Sequence, residues 1–316
     1  MSSARIAIVF PGQGTQRPGM GSDFRKRFPA ARLVFEEASA ALALDLGTLC
    51  DHDEGRLGLT EYAQPAILTT EIAMWRALEA ELGMSGACFG GHSLGEYTAL
   101  VAAGALALGD AVQVVRERGK LMQDAVPLGE GRMVAVIGEN LDPGDLSRAI
   151  AGLEVSVANE NSSSQLVLSG RTDDTRIAEQ RIEAALGRSG LRFVELDVSA
   201  PFHSPLMAVI EPVFREVLEG VRGRIDAARA AVVTSNFSGG FHAPDVSAVI
   251  DALVRQISGT VRWRANMETL VQASSRVVEI GPGRPLRGFF KSIGVEVRAI
   301  TDLRSAEKLA GAAEAA

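Results

Sequence analysis

Gly91-His92-Ser93-Leu94-Gly95 sets a serine between two glycines, each two residues away. That spacing is the pattern of a nucleophile elbow, in which a sharp turn from strand to helix lifts the hydroxyl above a sheet and the glycines give the bend room. The free amides at the start of the following helix point at the same spot, so charge developing on a substrate oxygen would be stabilised there. The competing reading is a Gly-rich turn that carries a surface serine. A serine at neutral pH needs a base, histidine is the usual one, and the chain has four. His52, in Asp51-His52-Asp53-Glu54, reads as part of a solvated acidic loop. His92 adjoins the nucleophile, yet side chains on either side of a tight bend diverge, so it is expected to pack or bond locally. His203 follows Pro201-Phe202, where proline restricts the backbone and can hold the ring rigidly. His242 lies in Gly239-Gly240-Phe241-His242-Ala243-Pro244, a looser loop, and is the second candidate, with a surface histidine as its competing reading. The base is therefore expected at His203 rather than His242.

Arg118 is the most informative charge. In the helix expected over 110–123 the apolar stripe runs through Ala111, Val114, Val115, Leu121 and Met122, and Arg118 falls on it where another hydrophobe belongs. Arg116 and Lys120 lie on other faces. An inward guanidinium stays charged and must find an anion, because an unpaired buried charge costs several kcal/mol. Two readings follow: a structural salt bridge to a buried Glu, or a socket for a substrate carboxylate held by two parallel charge-assisted hydrogen bonds.

The elements that must position these groups follow from periodicity. The run 5–10 reads as a buried parallel strand that stops at Pro11-Gly12-Gln13-Gly14, the place where α/β sheets take ligands. After Pro65, taken as a first-turn residue, Leu68, Ile72, Trp75, Leu78 and Leu82 predict an amphipathic helix over 66–82. A strand at 87–90 and a helix at 96–106 flank the serine. From Met133 the pattern is strand 133–137, helix 142–151, strand 154–159, strand 165–169, helix 173–187 and strand 192–198. This βαββαβ order is ferredoxin-like and suggests a small domain inserted into a larger one. Strands are expected again at 231–234 and 277–280, and the Ala-rich tail 310–316 is expected to fray.

Composition narrows the function. Of 316 residues, 47% are hydrophobic and 22% charged, enough for a sizeable core. Thirty-two Lys+Arg against 39 Asp+Glu argue against a sequence-independent nucleic-acid binder. Cys50 and Cys88 form neither a CxxC pair nor a His-Cys cluster, so no disulfide framework and no metal site is expected. The apolar run 6–10 is too short for a signal segment and no stretch of 18 apolar residues occurs, so the protein is expected to be cytoplasmic and not to bind a membrane. Neither Gly-rich stretch, 12–14 or 281–283, continues into a dinucleotide or P-loop motif, and no ATP or NAD cofactor is expected.

Taken in order, Phe10-Pro11-Gly12-Gln13-Gly14, Gly91-His92-Ser93-Leu94-Gly95-Glu96, Arg118-Gly119-Lys120, Pro201-Phe202-His203, Gln256 with Val261-Arg262-Trp263, and Glu279-Ile280-Gly281-Pro282-Gly283 resemble the motifs of the malonyl-CoA:acyl carrier protein transacylases, including the discrete acyltransferases that serve polyketide synthases. The resemblance spans residues 6 to about 291. It implies an α/β fold: an α/β-hydrolase-like large domain, 1–128 and 199–316, carrying a ferredoxin-like small domain, 129–198, with the active site between them. It implies Ser93 as nucleophile and His203 as base, oriented by a backbone carbonyl instead of an Asp. The amides of Gln13 and Leu94 would form the oxyanion hole, Arg118 would hold the malonyl carboxylate, and Gln256 would line the site near His203. His242 has no role in the pattern.

The implied reaction is ping-pong transfer from malonyl-CoA to the pantetheine thiol of an acidic acyl carrier protein, with no cofactor beyond the phosphopantetheine that this partner carries. Phe202 resembles the malonyl-selective residue of related polyketide domains, since a bulky ring crowds an α-methyl, although Ala200-Pro201 ahead of it departs from their pattern. For a chain of net charge −7, Arg25-Lys26-Arg27 and Arg284, Arg287 and Lys291 are the cations available to meet an acidic carrier, or else solvated helix faces. The chain is expected to act as a monomer. An acyl-carrier thioesterase or hydrolase is the alternative enzyme, which would have no use for Arg118; a catalytically silent carrier-docking protein is the alternative from another class.

Overall fold

A computed structural model describes residues 5–314 apart from Leu128, Arg188, Ser189 and Ser199. The chain opens on β1 (Ile6–Phe10), buried from Ala7 onward, and after short helices reaches α1 (Pro29–Leu42) and α2 (Thr60–Leu82). The second differs from its expected form. It starts six residues earlier than 66, so Pro65 lies inside it, and it is buried on nearly every side, polar Gln64, Thr69, Thr70 and Glu71 included. An interior proline costs a helix one hydrogen bond, about 3 kcal/mol; burial of Leu68, Ile72, Trp75 and Leu78 offsets it. β2 (Cys88–Gly91) turns at Ser93 into α3 (Leu94–Ala102), and α4 (Leu108–Asp124) follows. The two long helices pack so closely that a Cβ on Gly119 would sit 2.6 Å from the Thr60 carbonyl oxygen.

The middle of the chain folds as read. β3 (Gly131–Ile137), α5 (Pro143–Ala149), β4 (Val155–Ser162), β5 (Gln165–Arg171), α6 (Thr172–Leu186) and β6 (Arg192–Glu195) form a βαββαβ unit. Its antiparallel sheet has the order β4-β5-β3-β6, the ferredoxin-like arrangement in which each βαβ half straddles a strand of the other. The apolar side chains of β3–β5, among them Val136, Val157 and Leu168, pack with Leu146 and Ile182 from the two helices. β6 stops three residues short of the expected 198.

The return half supplies α7 (Val246–Arg255), α8 (Trp263–Ala273), β7 (Arg276–Ile280), α9 (Leu286–Ser292), β8 (Val297–Ile300) and α10 (Leu303–Glu314). The large sheet is wholly parallel, in the order β2-β1-β7-β8. Parallel strands covered by helices must be apolar on both faces, as Ala7–Phe10 are. No strand forms at 231–234. That segment touches β2 through one bridge, Phe89 to Val233, then turns away so that Asn236 reaches the elbow. The last helix runs through Glu314, across most of the tail expected to fray; 315 and 316 lie outside the described residues. Between the sheets, Val261 bridges Asn159 of β4 and bonds the backbone of Glu160. Among the described residues no helix is long and apolar enough to cross a membrane.

Candidate active site

β1 and β2 are parallel neighbours, which brings the loop after one and the turn after the other to the same edge of the sheet. Ser93 occupies that turn with φ 52° and ψ −102°, a backbone conformation that costs a non-glycine residue about 1–3 kcal/mol and is kept only where surroundings over-determine it. The two glycines are what make the bend possible. A Cβ on Gly91 would fall 2.0 Å from the Gly95 carbonyl, and one on Gly95 would fall 2.2 Å from the Phe10 oxygen. The Pro-Gly loop presses against the same turn, since a Cβ on Gly12 would lie 2.5 Å from the His92 oxygen.

His203 reaches the serine from the segment beyond β6. It too holds a positive φ, 57°, after Pro201, whose carbonyl accepts from Ser204 Oγ at 2.7 Å. Its Nδ1 lies 2.7 Å from the backbone oxygen of Gln256, which can only accept, so the proton sits on Nδ1 and the lone pair on Nε2. Ser93 Oγ, 2.7 Å from Nε2, therefore donates to it. Burial, then the charge of Arg118, pushes the imidazole down to about 3.

Arg118 is 1% exposed. Its Nη1 donates to Gln64 Oε1 at 2.9 Å, and its Nη2 donates to Gln256 Oε1 at 2.9 Å and to Ser93 Oγ at 3.1 Å. The guanidinium lies over the Tyr97 ring, 5.3 Å from its centroid. No carboxylate stands within ion-pair distance of it among the described residues, so the buried-Glu reading does not hold. Nε–H is buried without an acceptor among them, and burial holds the group below the usual arginine range. The cation is thus sealed, incompletely satisfied and directed at the hydroxyl.

The remaining expected residues fall around this trio. Gln13 is half-buried, with its side-chain amide on Thr60 Oγ1 at 3.1 Å, and Leu94 is the first residue of α3. Neither backbone amide has an acceptor among the described hydrogen bonds, and both flank the elbow. Gln256 is brought in fully. Phe202 is 7% exposed and belongs to the main apolar core, so its place near the site is one of adjacency to His203. His92 bonds Asn161 of β4 through Nε2 at 2.8 Å and stacks edge-on to Trp263, a tie across the two sheets and not a local contact. His242 is not a surface residue: it is 5% exposed, with Nε2 2.9 Å from Glu96 Oε1. Clefts of about 670 and 520 Å³ open elsewhere on the surface and are not lined by Ser93, Arg118 or His203.

Three participants had no role assigned from the sequence, although Glu96 closes the 91–96 motif. Asn236 accepts from the Ser93 amide at 2.6 Å and donates to the Gly91 oxygen at 2.8 Å, clasping the elbow from below. Gln64 and Glu96 carry polar ends inside the core. A signal existed for Gln64, an amide in the apolar run Ala63-Gln64-Pro65-Ala66; for Asn236 there was none, because the elbow residues it clasps, Ser93 and Gly91, lie more than 140 residues away in the chain.

The acyl transferase domain model matches residues 7–284. The malonyl CoA-acyl carrier protein transacylase of Bacillus subtilis is 38% identical over 305 residues, 94% of this chain and 93% of the relative. The crystal structure of an acyl carrier protein S-malonyltransferase from Vibrio cholerae superposes with a TM-score of 0.89 at 35% identity, over 97% of this chain and all of that one. A malonyl-transacylase solved in complex with its type II PKS acyl-carrier protein gives 0.87 at 34% identity, covering 98% of this chain and all of that one. With an elbow serine, a buried histidine and an inward arginine on a fold shared over its whole length, this chain belongs to the malonyl-CoA:acyl carrier protein transacylases of the acyl transferase domain family.

Proposed function

We propose that the protein moves a malonyl group from malonyl-CoA to the pantetheine thiol of an acyl carrier protein by way of a malonyl-Ser93 ester. The observation that carries this reading is the 3.1 Å contact between Arg118 Nη2 and Ser93 Oγ: a buried cation at the nucleophile suits an acyl group that ends in a carboxylate. In the first half-reaction His203 Nε2 takes the hydroxyl proton as Oγ bonds to the thioester carbon. The oxyanion is met by the amides of Gln13 and Leu94; removing one such donor typically slows the reaction by about 10²–10³-fold. On collapse the carbon–sulfur bond breaks and CoA leaves as a thiol with the proton from His203. In the second half the incoming thiol gives its proton to Nε2, sulfur attacks the ester, and Ser93 leaves reprotonated.

The division into 1–128 with 199–316 and 129–198 is part of this reading; its boundary residues Leu128 and Ser199 lie outside the described residues. So are action as a monomer, a cytoplasmic location, suited to the free buried thiols of Cys50 and Cys88, and preference for malonyl through Phe202. An acidic carrier would meet Arg284, Arg287 and Lys291, which are exposed on and just before α9, whose Phe289 lies 6.3 Å from His92 beside the nucleophile. Arg25 is a poorer candidate, held by Asp51 at 2.7 Å. Intact-mass analysis after mixing with malonyl-CoA tests the reading: a malonyl adduct is expected on the wild type and none on Ser93→Ala, and a wild type without adduct would refute it.

A further inference from the structure

Glu96 is fully buried one turn after the nucleophile, and the transfer steps above make no use of it. Its Oε2 accepts from Gln256 Nε2 at 2.6 Å and from the Asn236 amide at 3.0 Å, while His242 Nε2 stands 2.9 Å from Oε1. These two partners lead to everything that reacts. Asn236 clasps the elbow through the Ser93 amide and the Gly91 oxygen. Gln256 carries Arg118 on its side-chain oxygen and His203 on its backbone oxygen.

The Gln256 amide has two orientations of nearly equal shape, and only one is useful. Arginine has donors alone, so the oxygen must face Arg118 and the NH2 must face acceptors. Glu96 Oε2 is the shorter of the two acceptors on that side; the Ser93 oxygen, at 3.1 Å, is the other. We propose that Glu96 is a positioning residue for malonyl recognition: it locks the Gln256 amide so that its oxygen aims Arg118 at the acyl pocket, and through Asn236 it also supports the nucleophile. His242 closes the remaining face of the carboxyl group. The two arms have different signatures. The Asn236 arm affects any acyl group alike, whereas the Gln256 arm, through Arg118, weighs most on one that carries a carboxylate. The inference rests on the malonyl-transfer reading, since it is expressed as a ratio of malonyl to acetyl transfer.

The test compares kcat/KM for malonyl-CoA and acetyl-CoA in three variants, with thermal melts as a check of folding. Glu96→Asp withdraws the carboxyl group by one methylene, and misplacement on that scale costs up to about 10²-fold, so the malonyl-to-acetyl ratio should fall about tenfold or more. Glu96→Gln keeps the oxygen in place and can turn its NH2 to His242, and should hold the ratio within about threefold. Asn236→Ala removes the side chain that clasps the elbow and bonds Asn266, keeps the backbone amide that Glu96 accepts from, and should slow both acyl groups alike. A wild-type ratio in Glu96→Asp, a fall in Glu96→Gln as deep as in Glu96→Asp, or a lowered ratio in Asn236→Ala overturns the proposal, and the last of these stands even if aspartate at 96 prevents folding. A wild type that forms the malonyl adduct while the ratios do not respond sinks this inference alone; a wild type without the adduct sinks the reading beneath it.

Discussion

Replacing Arg118 by alanine separates a carboxylate socket from a structural cation, and its size can be worked from the contacts. The guanidinium donates to Gln64, Gln256 and Ser93, all neutral, at 2.9, 2.9 and 3.1 Å. A malonyl carboxylate arriving at Ser93 would replace a neutral hydroxyl acceptor with an anionic one and add an acceptor for a donor left over. Hydrogen bonds to a charged group are worth about 1.5–3 kcal/mol each, so two such bonds amount to about 3–6 kcal/mol. At 1.4 kcal/mol per tenfold, malonyl transfer should fall by about 10²–10⁴ in kcat/KM. Acetyl lacks the carboxylate and feels only the loosened seat of Gln256, so it should change by much less and the malonyl-to-acetyl ratio should drop by nearly the whole factor. Arg118→Lys keeps the charge but not the planar fork and should recover less than half of the loss in free energy. The assay is rapid-quench intact mass of the acyl-Ser93 adduct with each CoA ester, below the melting temperature, because the variant leaves two buried amide oxygens without a donor. Equal slowing of malonyl and acetyl, or malonyl kinetics like the wild type, would refute the reasoning.

Two further outcomes follow from the site and its rim. His203 is held down to about 3 against an ordinary 6.5, first by burial and then by Arg118. The unfolded chain therefore takes up a proton below about pH 6.5 that the folded one refuses until about pH 3. Stability from this group is full above that window and is lost as pH falls through it, at about 1.4 kcal/mol per pH unit. Urea melts of the wild type and His203→Asn between pH 4 and 8 should differ by an amount that changes with that slope below 6.5, and a constant difference argues against a neutral buried imidazole. Replacing Arg284, Arg287 and Lys291 together by alanine should leave formation of the malonyl adduct from malonyl-CoA intact, while lowering kcat/KM for an acidic carrier and flattening its salt dependence. If carrier kinetics are untouched, docking lies on another face.

Local chemistry carried much of the site in the sequence. Gly91 and Gly95 announce the elbow because a side chain at either would collide with backbone, and Arg118 stands out because an apolar stripe of known period leaves no place for a cation. The βαββαβ unit is legible for the same reason: alternation and short turns are local. What failed to show depends on distant partners. Pro65 signals a helix start by itself, and only packing of α2 against α1 and α4 explains why the helix begins at Thr60. The run 231–234 has strand composition but finds a single bridge on β2. His242 sits in a Gly-rich loop that looks exposed, until the fold buries it against Glu96.

Burial, and then the neighbouring Arg118 cation, make the histidine a feeble proton acceptor, which the backbone carbonyl of Gln256 on Nδ1 offsets only in part. Feebleness is selective. The serine hydroxyl is already seated 2.7 Å from Nε2, a position that water must reach from solution, and a thiol, which ionises about seven pK units more readily than water, needs the least help from so weak a base. The ester on Ser93 should therefore persist in buffer and discharge promptly once a pantetheine thiol is supplied, a contrast read directly from the lifetime of the adduct. Long storage of a reactive acyl group would then follow from how little the base can do.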